Sequence, residues 1–410
     1  MKHLLVLAQG TPRTFINVHG KSVFENLPFP VIVLCERRKA IHYEGLTTAT
    51  APIIVESIRF RDKEAVARTA AQWHEQVGLS GVVAVDERTV EFAAELRKSL
   101  NLGGMMPNIA ERFRNKVVMK QCLKPTNLRL PEYVDCDDRQ QVETLLSKHR
   151  KIIIKPVDGS GSKSVTEINS SDDLADWYTR TRDVSGYEAE EFIEGTLYHI
   201  NAIVRDGEIL LSAVAPYIPN AANIDFTSGK PMISVLELDG SVKEKMDRYS
   251  EQVIQTLGIK NGITHMECFL TPEEDVVFCE IAARQAGGGL ILMIEAQYQV
   301  NYVEAMMLIE AGFGEQVVVA TPAANLMALI GFRQCQFGIV KAAPDKSMFA
   351  EQWIRYQELP ALEGTMITPS SHCTDYVGLL VFESENLGEF NLRSQELNER
   401  FNRHFDVAPA

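Results

Sequence analysis

The stretch HMECFLTPEEDVVFCEIAARQAGGG, residues 265–289, limits what the chain can become more than any other. Two apolar runs flank the turn Pro272-Glu273-Glu274-Asp275, which predicts a hairpin. A symmetric turn sets Glu267 opposite Glu280 and, on the other face, Cys268 opposite Cys279. The two carboxylates then share a face with side chains roughly 5 Å apart, which is unfavourable unless a cation lies between them. Carboxylate oxygens with open positions suit Mg²⁺, a hard ion held by one or two carboxylates plus substrate phosphates, with Mn²⁺ as the alternative. Arg284 and Gly287-Gly288-Gly289 follow at once. The segment predicts a floor for a phosphate and a metal.

At 410 residues the chain has room for two or three domains. A net charge of −14 argues against nucleic acid as a partner, because a phosphate backbone demands clustered Lys and Arg. The seven cysteines are scattered without a CxxC pair, which reads as free thiols in a reducing compartment and predicts a cytoplasmic protein. No run approaches the ~18 apolar residues of a membrane span. The run LLVLA near the start falls short of the ~7–15 apolar residues of a signal peptide and reads as a first β-strand.

Residues 1–106 alternate strand-like runs (4–8, 31–35, 52–56 and 81–85) with helical patterns over Asp62–Val77 and Glu87–Leu100. That rhythm predicts an α/β domain with a parallel sheet. The segment AQGTPRT after the first strand is not GxGxxG, so this domain is expected to be a scaffold or substrate wall rather than a dinucleotide site. Gly103-Gly104-Met105-Met106-Pro107 reads as a linker. Residues 107–190 open with an Arg- and Lys-rich helix from Asn108 to about Cys122 and continue as a compact α+β module over 125–190, with strands at 128–134, 151–156 and 164–168. Residues 191–410 carry antiparallel signals. Leu197–Arg205 and Glu208–Val214 meet at the hairpin turn Asp206-Gly207, and a helix over 393–404 closes the chain.

Lys155 ends the strand KIIIKP, and the loop Asp158-Gly159-Ser160-Gly161-Ser162-Lys163-Ser164 follows. Glycines permit positive φ and let backbone N–H groups approach an anion closely. Lys155 and Lys163 add mobile charge. Taken alone, the loop is as well read as a flexible surface hairpin, and it is not a Walker A motif. Glu190-Glu191-Phe192-Ile193-Glu194-Gly195 is a strand end whose backbone could meet an adenine edge and whose carboxylate could accept from its amine. Lys116 and Lys120, four apart on a helix, share a face, either solvated or turned to phosphate. His199 and Asn201 alternate on one strand face, and His265 shares a face with Glu267, as a support for that carboxylate or as a plain structural histidine.

Taken in order, these pieces resemble the ATP-grasp superfamily over about residues 108–312, and most nearly its carboxylate–amine ligases, the L-amino acid (dipeptide) ligases included. The first domain resembles the pre-ATP-grasp domain, down to AVDERTVEFAAELRKSLNLGG. The resemblance implies an α/β and α+β ATP-grasp fold after an N-terminal Rossmann-like domain, in units 1–106, 107–190 (with a small lid at 125–190) and 191–410. It implies ATP with Mg²⁺. Lys116 and Lys155 would hold nucleotide phosphates, and the loop with Ser160, Gly161, Ser162 and Ser164 would cover them. Glu190, Glu191, Phe192, Ile193 and Glu194 would line the adenosine, and Glu267 and Glu280 would hold the metal. Arg284 and Lys155 would act on the transferred phosphate.

The implied reaction joins a small-molecule carboxylate to an amine through an acyl-phosphate. Alternative acceptors are a carrier-protein thiol or a phosphoribosylamine-like amine, and a non-catalytic nucleotide-binding protein is the rival outside catalysis. A homodimer through the first domain is expected, with neither membrane nor nucleic acid as partner. Two positions depart from the family pattern: Ala282 stands where Asn is usual, and Leu197 where a ribose-binding Glu is common.

Overall fold

The computed structural model describes residues 2–219 and 225–409. The N-terminal sheet is parallel, in the order Ile54–Ser57, Val31–Cys35, His3–Ala8, Leu79–Ala84. Its inner strand His3–Ala8 is apolar and buried from Leu4 onward because both its faces are covered. Asp62 caps the helix Lys63–Val77 by accepting from the Ala65 N–H at 2.9 Å. The next helix runs Val90–Ser99, shorter than expected at its start, because Glu87–Thr89 form a 3₁₀ turn. The carboxyl ends of the first and last strands in sequence deliver residues 10–14 and 86–88 to one crevice, where ligands of open α/β sheets bind.

The helix expected over 108–122 is broken. Short turns at Pro107–Ala110 and Glu111–Phe113 end at Asn115, whose side chain accepts from the Val117 and Val118 N–H groups at 3.0 and 3.2 Å and starts a new helix, Lys116–Leu123. Lys116 therefore stands at a helix start, with its own N–H bonded to the Val157 carbonyl at 2.8 Å. The lid sheet is antiparallel, in the order Tyr133–Asp135, Tyr187–Glu191, Ile152–Pro156, Thr166–Ile168. The strand expected at 128–134 pairs only from Tyr133, after Pro131, which has no N–H to give. Arg129 bridges to Val277 instead.

The largest sheet has eight strands, ordered Val276–Ala282, Gly262–Leu270, Thr196–Arg205, Glu208–Ile218, Met232–Val235, Leu326–Phe332, Gly378–Ser384, Ile354–Glu358, and a separate three-stranded sheet joins Met366–Ile367, Gly338–Ala342 and Asp406–Pro409. Asp206 and Gly207 both take positive φ, 54° and 86°, as the tight turn requires. The helices Leu290–Tyr298 and Tyr302–Glu310 are buried almost all round, in one apolar core shared with the N-terminal sheet. A buried ion pair, Arg97 with Glu310 at 2.5 Å, pins the two units together. The last helix starts at Leu387, six residues before the expected 393, because Asn386 caps it.

In the acidic hairpin Glu267 faces Glu280 and His265 faces Ala282. Beyond Glu267 the register shifts, so Cys268 faces Phe278 rather than Cys279. Leu270 pairs with Val276, which makes the loop five residues, 271–275, instead of a symmetric four. Cys279 is the extra residue of a β-bulge, a device that re-aims side chains beside active sites. Among the described residues no helix is long and apolar enough to cross a membrane.

Candidate active site

Among the described residues, three neighbouring cavities follow one another. The largest, 950 Å³, lies between the lid sheet and the acidic hairpin. Lys116, Lys155, loop residues 159–163 and Glu190–Gly195 line it, with an apolar side formed by Ile153, Val165, Leu197, Phe269 and Phe278. The second, 380 Å³, is walled by Thr11, Thr14 and residues 86–88 of the first domain and by His372, Cys373 and Tyr376 near the far end of the chain. These two cavities share Ser160, Gly161, Ser162, Glu267 and Glu280. The third, 350 Å³, continues from the second past Gly287 and Gly288 and reaches Arg13 and Glu358.

Lys116 donates to the Gly159 carbonyl at 2.7 Å and meets Glu280 at 2.8 Å. Burial opposes a charge on Glu280, but Lys116 and then Lys155 hold its carboxyl down at about 2. Glu267 accepts from the Tyr217 hydroxyl at 2.8 Å and lies 3.6 Å from His265 Nε2. Facing carboxylates with a lysine on one and a phenol on the other form an oxygen-rich donor set. That set suits a hard divalent ion, and the pair opens on both cavities where phosphate oxygens could complete the shell.

Arg284 lines the second cavity, donates to the Gln285 carbonyl at 2.6 Å and pairs with Glu87. Glu87 also pairs with Arg114 at 2.5 Å. Burial disfavours its charge, yet Arg284 and Arg114 hold its carboxyl below the usual range. A carboxylate from the first domain thus orients the arginine expected at the phosphate. Nothing local in the sequence singled out Glu87, Tyr217 or His372, and Cys279 was expected on the opposite face.

The structure gathers Lys116, Lys155, Ser160, Gly161, Ser162, Glu267, Glu280 and Arg284 around the junction. Phe192, Ile193 and Glu194 line the larger cavity, with the Lys151 ammonium 3.6 Å from the centre of the Phe192 ring. Ser164 lines none of the three cavities; it is exposed, with φ at 60°. The Glu190 carboxylate is held by Lys155 and by Lys120 at 2.8 Å, so it is engaged with lysines rather than free for an adenine amine. Glu191 accepts from the Glu132 N–H at 3.1 Å and lies 3.8 Å from His149. Lys120 is neither solvated nor turned to the cavity: it is fully buried between Glu188 at 2.7 Å and Glu190.

A family profile for the ATP-grasp domain matches residues 149–292. The L-arginine-specific L-amino acid ligase of Bacillus subtilis is 26% identical over 240 residues, 55% of this chain and 56% of that protein. An alanine–anticapsin ligase of Bacillus subtilis (strain 168) is 21% identical over 273 residues, 60% of this chain and 57% of that protein. The chain thus spans little more than half the length of these relatives. Among solved structures, the L-amino acid ligase from Bacillus licheniformis superposes with a TM-score of 0.75 at 18% identity, covering 100% of this chain and 99% of that one. The N5-carboxyaminoimidazole ribonucleotide synthetase from Thermotoga maritima gives 0.69 at 15% identity over the full length of both. Residues 149–292 are thus an ATP-grasp domain, and the whole chain has the ATP-grasp fold.

Proposed function

We propose that the protein is an ATP-dependent carboxylate–amine ligase that forms an amide or peptide bond between amino acids or amino-acid-like substrates and releases ADP and phosphate. Its main support is the junction: a nucleotide-sized cavity and a second chamber meet at Glu267, Glu280 and the glycine loop. A phosphoryl group leaving a nucleotide in the first would arrive on an acceptor in the second. The names of the relatives, an L-amino acid ligase and an alanine–anticapsin ligase, favour amino-acid substrates.

In this proposal Lys116 and Lys155 hold the nucleotide phosphates, and Ile193 meets the adenine through its backbone. Glu194 is the ribose candidate, since the hydrocarbon side chain at position 197 has no polar group for a hydroxyl. Glu267 and Glu280 would hold Mg²⁺ or Mn²⁺, which when bound neutralises charge on the phosphate tail. Lys155 and Arg284 stabilise the dispersed negative charge of phosphoryl transfer, a reaction governed by positioning and electrostatics. The substrate carboxylate takes the γ-phosphoryl group and becomes an acyl-phosphate. An amine arriving through the third cavity attacks its carbonyl carbon and displaces phosphate. The loop over residues 158–164 excludes water that would hydrolyse the acyl-phosphate. No side-chain nucleophile is required. The division near residues 106 and 190 and a cytoplasmic location belong to the same proposal.

The test is ADP release measured over pairs of amino acids, with products identified by mass spectrometry and Glu280→Gln as control. Amine-dependent ADP release with a dipeptide product, lost in the variant, is expected. Release that needs a thiol acceptor, or nucleotide binding without turnover on any pair, would reject the assignment.

A further inference from the structure

We propose that His265 is a nitrogen ligand of the divalent ion, and that the site in consequence favours Mn²⁺ over Mg²⁺; this rests on the ligase reading for the presence of a metal at Glu267 and Glu280. His265 and Ala282 face each other two pairs along from Glu267 and Glu280, and so on the same side of the hairpin. The methyl group of Ala282 cannot donate electrons to a metal. An imidazole stands across from it.

A buried chain of hydrogen bonds fixes how that imidazole is used. Asn201 is fully buried; its amide Nδ2 lies 2.9 Å from His199 Nδ1, and its Oδ1 lies 2.9 Å from His265 Nδ1. An amide nitrogen only donates and an amide oxygen only accepts. His199 Nδ1 is therefore the acceptor, and His199 donates through Nε2 to the Ser234 hydroxyl at 2.9 Å. With the Asn201 amide in this orientation, a neutral His265 carries its proton on Nδ1 and turns the Nε2 lone pair toward Glu267 and the second cavity.

The distance fits the same role. His265 Nε2 lies 3.6 Å from Glu267 Oε1, too far for a hydrogen bond. Two donors on one ion, each at about 2.1 Å, can stand anywhere up to about 4.2 Å apart. A hydrogen bond from the other ring nitrogen to a buried carbonyl oxygen is the usual support of a metal-bound histidine. In this structure Glu280 is tied to Lys116 and does not share a ligand cluster with the other two, so it joins them only once that pair opens and its carboxylate swings toward Glu267. Imidazole suits transition metals, whereas Mg²⁺ prefers oxygen, so one nitrogen shifts the balance toward Mn²⁺.

The test is pulsed electron paramagnetic resonance of Mn²⁺ bound to the full chain with ADP. Nitrogen modulation from a directly bound imidazole is expected. It should change to the ¹⁵N pattern when the protein is made with ¹⁵N-histidine, which separates it from nitrogen of the nucleotide. His265→Asn should abolish it, and His372→Ala, at the other imidazole lining the cavity, should not. The Mg²⁺-to-Mn²⁺ ratio of dissociation constants should fall on the order of tenfold in His265→Asn. Should that variant fail to fold, the isotope pattern of the native protein still decides. Bound Mn²⁺ without histidine nitrogen coupling, alongside normal ADP release, overturns the ligand assignment alone. Absence of both Mn²⁺ binding and ADP release overturns the ligase reading with it.

Discussion

Lys116 holds its ammonium 2.8 Å from the Glu280 carboxylate while donating to the Gly159 carbonyl, so one side chain ties the acidic hairpin to the glycine loop. The pairing has a pH signature. Burial opposes the Glu280 charge, but Lys116 holds the carboxyl at about 2 against an ordinary 4.5. A carboxyl depressed on folding stabilises fully above 4.5 and loses that contribution as the pH falls toward 2. Lys116→Met removes the strongest opposing charge. The gap in urea midpoint between native and variant should be widest near neutrality and close as the pH drops through this window. A gap independent of pH would deny the pairing its role. The same variant should slow ADP release by roughly 10²–10³.

Gly161 and His372 bring opposite ends of the site into contact. Gly161 has φ of 65°, and a Cβ added there would run into the His372 ring. Gly161→Ala should cost roughly 1–2 kcal/mol in backbone strain, and the collision should push the loop off the phosphates. ADP release is expected to fall more steeply than the melting temperature. Adding His372→Ala should restore part of the activity but none of the strain term. Strictly additive losses in the double variant would show that the ring and the loop do not communicate.

What could be read in the chain followed what was local. The facing of Glu267 and Glu280 comes from strand alternation around a turn, and the folded hairpin keeps it. The bulge at Cys279 adds one residue with no compositional mark, so Phe278 rather than Cys279 faces Cys268. Asn115 was readable as a cap residue but lies inside a continuous helical pattern, which hid the break that sets Lys116 at a helix start. Spacing of four put Lys120 on the face of Lys116 without revealing that two acidic residues of another strand would enclose it. Glu87 reaches Arg284 across 197 residues, and such a contact leaves no pattern in either neighbourhood.

Lys120 is predicted to be a structural charge rather than a nucleotide ligand. It is fully buried, contacts Glu188 and Glu190, and lies 4.4 Å over the Tyr133 ring. Burial pushes the Glu188 carboxyl up despite Lys120, and its Oε1 has no hydrogen-bond partner. Lys120→Met should strand this charge and lose about 3–5 kcal/mol of stability in urea unfolding. Glu188→Gln in the same chain should return part of the loss, because Glu190 keeps Lys155 as its partner. Wild-type stability in Lys120→Met with impaired ADP affinity would reverse the assignment.

Cys279 offers a chemical probe of the cavity proposed for the nucleotide. The bulge presents it to that cavity beside Lys155, partly accessible, while Cys335 is exposed on the surface. Burial pushes the Cys279 thiol up, and Lys155 offsets this only in part, so thiolate is scarce near neutral pH. A maleimide should therefore modify Cys335 before Cys279, as followed by peptide mass spectrometry. ADP with a divalent ion should then slow labelling of Cys279 about tenfold at ~10 times its dissociation constant, while leaving Cys335 unchanged. Equal rates at Cys279 with and without saturating nucleotide would place the nucleotide elsewhere.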